Sequence, residues 1–231
     1  MTRSILPGLT TFRFTGPSEY LDGLVERIDA PRLDHLSITF PFDQMNLNTP
    51  HAHLVQFISR TPRFQEPNEA HVTLDLHAEV KLLWASDDDH ARLRVEILYE
   101  DLLADPEPST IAQVCAMCLP PLLTVENLRL GVFNESLYSE LEWKENVENN
   151  QWLELLRPFT GVKNFYLSEE FQSDMASALQ ELVGGRTAEV LPSLRNIFLA
   201  KFESSRSFQE DIGQFVTARQ LSGHPIAILP L

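Results

Sequence analysis

Cysteine and glycine are scarce in this chain. Only Cys115 and Cys118 occur among 231 residues, which excludes a small secreted scaffold held together by several disulfides. Nine glycines against fifteen prolines leave little material for glycine-rich phosphate loops. No apolar run approaches the roughly 18 residues of a membrane span, and the segment Met1–Pro7 has no secretory hydrophobic region. These absences predict an intracellular protein that does not bind membranes.

Basic residues are outnumbered by acidic ones. Eighteen lysines and arginines against 33 aspartates and glutamates give a formal net charge of −15. Such a charge repels nucleic acid and anionic membrane surfaces. We therefore expect neither as a partner, and the charge favours either plain solubility or a basic protein partner.

An apolar pattern close to L-x-x-L-x-L recurs along the chain and is the main signal that is present. Alternation of apolar and polar residues over its last positions is typical of a strand with one buried face. Five copies are clear: Leu9/Phe12/Phe14, Leu33/Leu36/Ile38, Val125/Leu128/Leu130, Val162/Phe165/Leu167 and Leu194/Ile197/Leu199. Three weaker strands show the same alternation: Val72/Leu74/Leu76, Leu93/Val95/Ile97 and Ile226/Ile228.

The spacing between these strands is irregular. It runs from 21 residues (Leu74 to Val95) to 38 residues (Leu36 to Leu74), whereas leucine-rich repeats typically measure about 20–29 residues. Helical apolar stripes separate the strands. They begin near Leu21, Trp152, Phe171 and Phe208, and those at Leu21 and Trp152 continue at i+3, i+4 and i+7.

Alternation of strands and helices predicts parallel strands joined by crossover connections. A closed or doubly wound sheet would bury both faces, and its strands would read as continuous apolar runs. Here the alternate strand positions are mostly polar, so one sheet face is expected to contact solvent. The prediction is an α/β fold, namely an irregular leucine-rich-repeat-like solenoid with mainly parallel strands on one face and helices on the other. It spans residues 1–231 as a single domain.

Two segments interrupt the repeat pattern. Residues 62–90 contain an extra strand at Glu79–Trp84 with no helix around it, which predicts a hairpin-like insertion. Residues 134–150 are rich in glutamate and predict an acidic loop.

Motifs that could carry chemistry are weak. Cys115 and Cys118 form a C-x-x-C sequence, but they lie within a helical apolar stripe and no second pair completes a zinc site, so we interpret them as core residues. The segment Gly184–Thr187 resembles part of a phosphate loop but follows a helix, whereas a P-loop follows a strand. We therefore expect no catalytic residue, no metal and no cofactor, and the protein is predicted not to be an enzyme.

The solvent-facing strand positions are the better candidates for a binding site. Aromatic residues and arginine are enriched at protein interfaces. The candidates for contacting a partner are Arg13, His35, Arg94, Asn127, Arg129, Asn164, Tyr166, Asn196 and Phe198. An alternative interpretation is that the three asparagines form a structural ladder and that the C-terminal segment covers Phe198.

Three C-terminal segments also resemble a known family. They are Trp152–Phe171 (WLELLRPFTGVKNFYLSEEF), Leu179–Leu194 (LQELVGGRTAEVLPSL), and Gln214–Arg219 (QFVTAR) with His224–Ile226. These residues resemble the C-terminal repeats of fungal F-box proteins with leucine-rich repeats. The resemblance implies the substrate-recruiting arm of a ubiquitin ligase adaptor, although no F-box is found before the first repeat strand.

The functional expectation is a protein-interaction module with a protein target. Three alternatives remain open from the sequence: a stand-alone scaffold, a truncated remnant, and an enzyme with a cryptic site. An enzyme would need a deep pocket with convergent polar groups, whereas a module would present a shallow face.

Overall fold

The computed structural model describes residues 3–46, 50–74, 77–84, 91–99, 107–120, 122–132, 147–200 and 206–231. Eleven strands lie in these ranges: β1 (Ser4–Ile5), β2 (Thr11–Thr15), β3 (Ile28–Asp29), β4 (His35–Pro41), β5 (Glu69–Leu74), β6 (His77–Leu83), β7 (Leu93–Leu98), β8 (Asn127–Gly131), β9 (Asn164–Leu167), β10 (Asn196–Leu199) and β11 (Ala227–Pro230). Six α-helices accompany them in the same ranges: α1 (Ser18–Val25), α2 (Ala52–Arg60), α3 (Pro108–Cys118), α4 (Asn149–Leu156), α5 (Gln172–Gln180) and α6 (Arg206–Leu221).

Nine of these strands form one sheet in the order β11-β10-β9-β8-β5-β6-β7-β4-β2, and β1 pairs with β3 separately. Six strand pairs in the large sheet are parallel, and only the two pairs that involve β6 are antiparallel. The prediction of a mainly parallel sheet in an α/β fold is confirmed.

The extra strand expected near residues 79–84 is β6, and its position was not foreseen. Strand β7 pairs with β4, and β5 pairs with β8, so β5, β6 and β7 occupy the sheet in the reverse of their chain order. The connection that contains α2 therefore passes two strand positions before β5 begins. The hairpin is part of the main sheet, and it brings its own side chains to both sheet faces.

The core lies between the sheet and the helices. In β8, Leu128 and Leu130 are buried, whereas Asn127 and Arg129 keep contact with solvent, and the same alternation is found in β9 and β10. Each helix packs against the next one along the chain, from α1 to α6. Strand and helix side chains join in one hydrophobic cluster, because period-two and period-3.6 patterns each present one apolar face. The expected contact of one sheet face with solvent is confirmed.

Two boundaries differ from the sequence prediction. Helix α1 ends at Val25, so Ile28 belongs to β3 instead of the helical stripe, and Leu24 is 41% exposed. Helix α4 begins at Asn149, inside the segment predicted to be an acidic loop. Residues 134–146 of that segment lie outside the described residues. The extent of the chain as a single domain stays a prediction.

Candidate binding face

The strand register brings the candidate residues into one row on the solvent-facing side of the sheet, which we call the open face. Successive partners across the strands are Arg13, Ser37, Arg94, Lys81, His71, Arg129, Tyr166, Phe198 and Leu229. Neighbouring strands lie about 4.8 Å apart, so each side chain in this row stands beside the next. Five of the nine sequence-predicted candidates belong to this row, although they come from five separate parts of the chain.

A parallel row contains the three asparagines. Asn164 donates an amide hydrogen bond to the side-chain oxygen of Asn127 at 2.8 Å, and Asn196 donates one to Asn164 at 2.8 Å. Their amides are therefore engaged within the sheet, as in the alternative interpretation of a structural ladder. We assign Asn127, Asn164 and Asn196 to holding β8, β9 and β10 in register.

Arg129, Tyr166 and Phe198 form a stacked platform on the C-terminal half of the open face. The Arg129 guanidinium lies 4.3 Å from the Tyr166 ring centroid, and the Tyr166 and Phe198 rings stack at 4.5 Å with an interplanar angle of 10°. Strand β11 pairs with β10 and places Leu229 opposite Phe198. This neighbour covers Phe198 only in part, and the side chain keeps some contact with solvent. The platform adjoins a groove of about 240 Å³.

Ion pairs fix the orientation of Arg129. Its guanidinium donates to Glu69 at 2.6 Å, and Glu69 also accepts from the ring of His71 at 2.6 Å. Partial burial, the strongest single influence on Glu69, raises its pKa, but the hydrogen bonds from Arg129 and His71 outweigh burial and hold that pKa below the ordinary value. The ionised carboxylate therefore keeps Arg129 over Tyr166.

A second, larger groove of about 780 Å³ lies on the N-terminal half of the open face. Its basic lining residues are Arg13, His35, His71, Lys81, Arg92 and Arg94. Among the described residues that line it, none carries a carboxylate. We call this surface the basic groove.

Carboxylates next to the basic groove pair with its basic residues other than Arg13. Asp34 lies 3.6 Å from His35 and 3.9 Å from Arg92, and Glu69 lies 2.6 Å from His71. Glu79 is fully buried and contacts both Lys81, at 2.6 Å, and Arg94. Glu96 lies 3.5 Å from Arg94, so one arginine serves two carboxylates. Within the described part of the chain, Arg13 makes no ion pair, and it is exposed.

The hairpin of β5 and β6 contributes residues to the open face that were not predicted from the sequence. Lys81 and His71 occupy the centre of the row, and Glu69 and Glu79 orient its arginines. A signal existed for Lys81, because Val80 and Leu82 of β6 are apolar and the residue between them must point to the opposite face. What the sequence did not supply was the place of β6 within the sheet.

The remaining sequence candidates lie near this face or in the core. His35 is 47% exposed at the groove and stands 3.6 Å from Asp34. Cys115 and Cys118 are buried in α3 as predicted, and burial raises the pKa of each thiol to about 12.

Neither a metal-binding cluster nor a membrane-spanning helix is found in the described ranges. No group of three or more His, Cys, Asp or Glu side chains there is arranged to hold a metal ion. None of the helices in those ranges combines the length and the apolar character needed to cross a membrane.

No protein-family model matches this chain, and no curated protein matches it either. Among solved structures, the chain is similar to the leucine-rich repeat-containing protein LegL7 from Legionella pneumophila, with 14% sequence identity and a TM-score of 0.36. The match covers 91% of this chain and 51% of LegL7, so the chain spans about half the length of that protein. At this level of similarity, the match assigns no function.

Proposed function

We propose that the protein is a non-catalytic protein-interaction module with an irregular leucine-rich-repeat-like solenoid fold, and that its open face binds a protein partner. The observation that supports this most directly is the platform of Arg129, Tyr166 and Phe198. Arginine and tyrosine are among the residues that dominate binding energy, and phenylalanine is enriched at interfaces; here the three lie in register on adjacent strands.

The platform suits an anchor because it is already ordered. Its side chains are fixed by stacking and by the Arg129–Glu69 ion pair. They therefore lose little conformational entropy when a partner binds. The rings keep part of their surface exposed, which leaves apolar area to bury. Truncation of such a residue at the centre of an interface typically costs about 2 kcal/mol or more.

A catalytic role has less support. In the described part of the open face, Glu69, Glu79 and Glu96 all lie in ion pairs with arginine, lysine or histidine. General acid–base catalysis needs a group of suitable pKa within reach of a bound substrate, and paired structural carboxylates do not supply it. We therefore propose no enzymatic activity and no cofactor.

The resemblance to fungal F-box proteins gives a more specific form of the proposal, in which the bound protein is a target for ubiquitin ligation. That form rests on the sequence resemblance alone. It requires the native protein to co-purify with a subunit of a ubiquitin ligase. A stand-alone scaffold would bind its target without such a subunit.

Tyr166→Ala tests the proposal, with Tyr20→Ala as its matched control. Tyr20 lies on α1 and is 75% exposed, so Tyr20→Ala removes a comparable aromatic ring from a different element. Proteins captured from native lysate by the wild type should be retained by Tyr20→Ala and depleted more than tenfold by Tyr166→Ala, given a loss of about 2 kcal/mol. Thermal unfolding checks that both variants are folded.

The opposite pattern would contradict the proposal. If Tyr166→Ala and Arg129→Ala together leave the captured set unchanged while Tyr20→Ala depletes it, the binding surface lies on the helices and not on the open face.

A further inference from the structure

The charge of the open face is opposite to that of the whole molecule. The chain has a formal net charge of −15, yet the nine strands of the large sheet carry four lysines and arginines against three glutamates. The basic members are Arg13, Lys81, Arg94 and Arg129, and the acidic members are Glu69, Glu79 and Glu96. Arg92, just before β7, lies 3.9 Å from Asp34, just before β4, so these two charges offset each other. The expectation of a basic partner, drawn from net charge, does not apply to this surface.

The cations also converge in space. Arg13, Arg94 and Lys81 belong to a single row, with only Ser37 between Arg13 and Arg94. They line one groove, and its described lining contains no carboxylate. Arg94 and Lys81 both pair with the buried Glu79, which lies in the adjacent row of the same face, and these ion pairs orient them along the groove.

We infer that the basic groove and the platform together bind an acidic, extended segment of a partner protein. Carboxylates of that segment would lie against Arg13, Lys81 and Arg94, because guanidinium and carboxylate form strong charge-assisted hydrogen bonds. An aromatic or large apolar side chain of the same segment would pack on Tyr166 and Phe198. This inference rests on the proposed function, since it specifies the chemistry of the partner.

The dimensions set the length of the segment. From β2, which carries Arg13, to β9, which carries Tyr166, the sheet order includes six strand spacings. At about 4.8 Å each they span about 29 Å, which an extended peptide covers with about nine residues at roughly 3.3 Å per residue.

A short acidic segment also fits the rest of the surface better than nucleic acid does. Long polyanions continue past the groove and meet the acidic remainder of the molecule, where like charges repel. A segment of about nine residues ends within the face, at the strand spacing given above. Nucleic acid is therefore the competing outcome of the test.

The test uses the full chain and two fluorescent ten-residue peptides of alternating Glu and Ser, one with Phe at its first position and one with Phe at its last. Matched peptides carry Gln in place of every Glu. At low salt, at least one Glu peptide should bind roughly tenfold more tightly than its Gln counterpart. Raising the salt concentration to 0.5 M should remove most of that difference, since exposed charges are then screened over roughly 4 Å.

Two sets of variants locate the binding. Arg13→Gln with Lys81→Gln should reduce affinity for the Glu peptide by about tenfold, given the strength of charge-assisted contacts. Arg27→Gln with Arg157→Gln removes two exposed arginines that follow α1 and α4, and it should leave the affinity unchanged. Arg13→Gln alone serves if the double variant unfolds, because Arg13 makes no ion pair in the described structure.

Each outcome separates the two proposals. Equal binding of Glu and Gln peptides, equal losses in both variant sets, or tighter binding of a ten-nucleotide single-stranded DNA would overturn the acidic-segment inference. If native partners then still depend on Tyr166 but not on Arg13 and Lys81, the proposed function stands without it. If Tyr166→Ala leaves those partners unaffected, the proposed function itself fails.

Discussion

Arg219, on α6, is fully buried and illustrates how one residue joins separate segments of this fold. Its guanidinium donates to the carbonyl of Thr187 at 2.9 Å and to that of Leu194 at 3.1 Å. Burial lowers the pKa of Arg219 from its ordinary value, since the charged form loses hydration. The charge is compensated by backbone carbonyls, and the residue fastens α6 to the chain that leads into β10.

Arg219→Ala should therefore destabilise the protein strongly. The substitution leaves at least two carbonyls without their donor and opens a cavity, so we expect the free energy of unfolding to fall by about 3 kcal/mol. Urea denaturation measures this change. Arg195→Ala, at an exposed position just before β10, is the matched control and should change stability by no more than about 0.5 kcal/mol. Similar losses in both variants would contradict the account of Arg219.

The two cysteines make a prediction about reactivity. Because the thiolate is the reactive form and burial raises both pKa values to about 12, Cys115 and Cys118 should react slowly with iodoacetamide at pH 7.5 in the folded protein. Both should react promptly after unfolding in guanidinium chloride, as mass spectrometry of the intact chain would show. Equal alkylation rates in the folded and unfolded states would mean that α3 does not shield them.

At the scale of elements, a close backbone approach joins the turns that precede β8 and β9. Gly161, in the turn before β9, lies against the turn before β8, and a Cβ atom there would collide with the carbonyl oxygen of Leu123. It would also lie 3.2 Å from the carbonyl oxygen of Val125. Only glycine allows these two turns to pack at this distance.

Gly161→Ala should accordingly lower the free energy of unfolding by about 2 kcal/mol, because the backbone must shift to accept one methyl group. Gly213→Ala provides a control of identical chemistry in α6, where the described residues beyond its own turn of helix leave the space around the added Cβ open to 4 Å. That variant should be neutral or more stable by up to about 1 kcal/mol, since alanine favours the helix. Chemical denaturation of both variants would test the pair. If Gly161→Ala is as stable as Gly213→Ala, the turns are not in tight contact.

The strands were the most predictable elements, and their arrangement the least. In β8, the apolar Leu128 and Leu130 alternate with the polar Arg129, because one face of the strand is buried and the other is not. This alternation is a local pattern, so it can be recognised from the sequence alone. The place of β6 depends on long-range pairing with β5 and β7, which local periodicity does not encode. For the same reason the C-terminal platform could be predicted by aligning repeats, whereas the central part of the row could not.

The end of α1 shows a second limit of periodicity. Ile28 continues the apolar spacing of Leu21 and Val25, but the helix has already ended and Ile28 pairs in β3 with Ser4. An apolar residue at this interval is compatible with a continued helix and with a short strand. Here the pairing of β1 with residues 28–29 selects the strand. Tertiary contacts of this kind override local pattern.

At the scale of the whole molecule, the two faces of the sheet differ in what covers them. The helices pack against each other and against the sheet, and the opposite sheet face is left with polar, basic and aromatic side chains. The three glutamates of the strands on that face lie in ion pairs with lysine, arginine or histidine. The cations of the basic groove favour attraction of an acidic partner to this face.

Covalent footprinting with hydroxyl radicals would test the central claim, that the open face is the binding surface, most directly. The protein would be labelled free and saturated with a partner obtained by native capture, and side-chain oxidation would be quantified by mass spectrometry. Tyr166 and Phe198 should lose most of their labelling in the complex, while the exposed Tyr20 on α1 and Leu221 on α6 should be labelled as in the free protein. Protection of Tyr20 or Leu221 with unchanged labelling of Tyr166 and Phe198 would contradict the account.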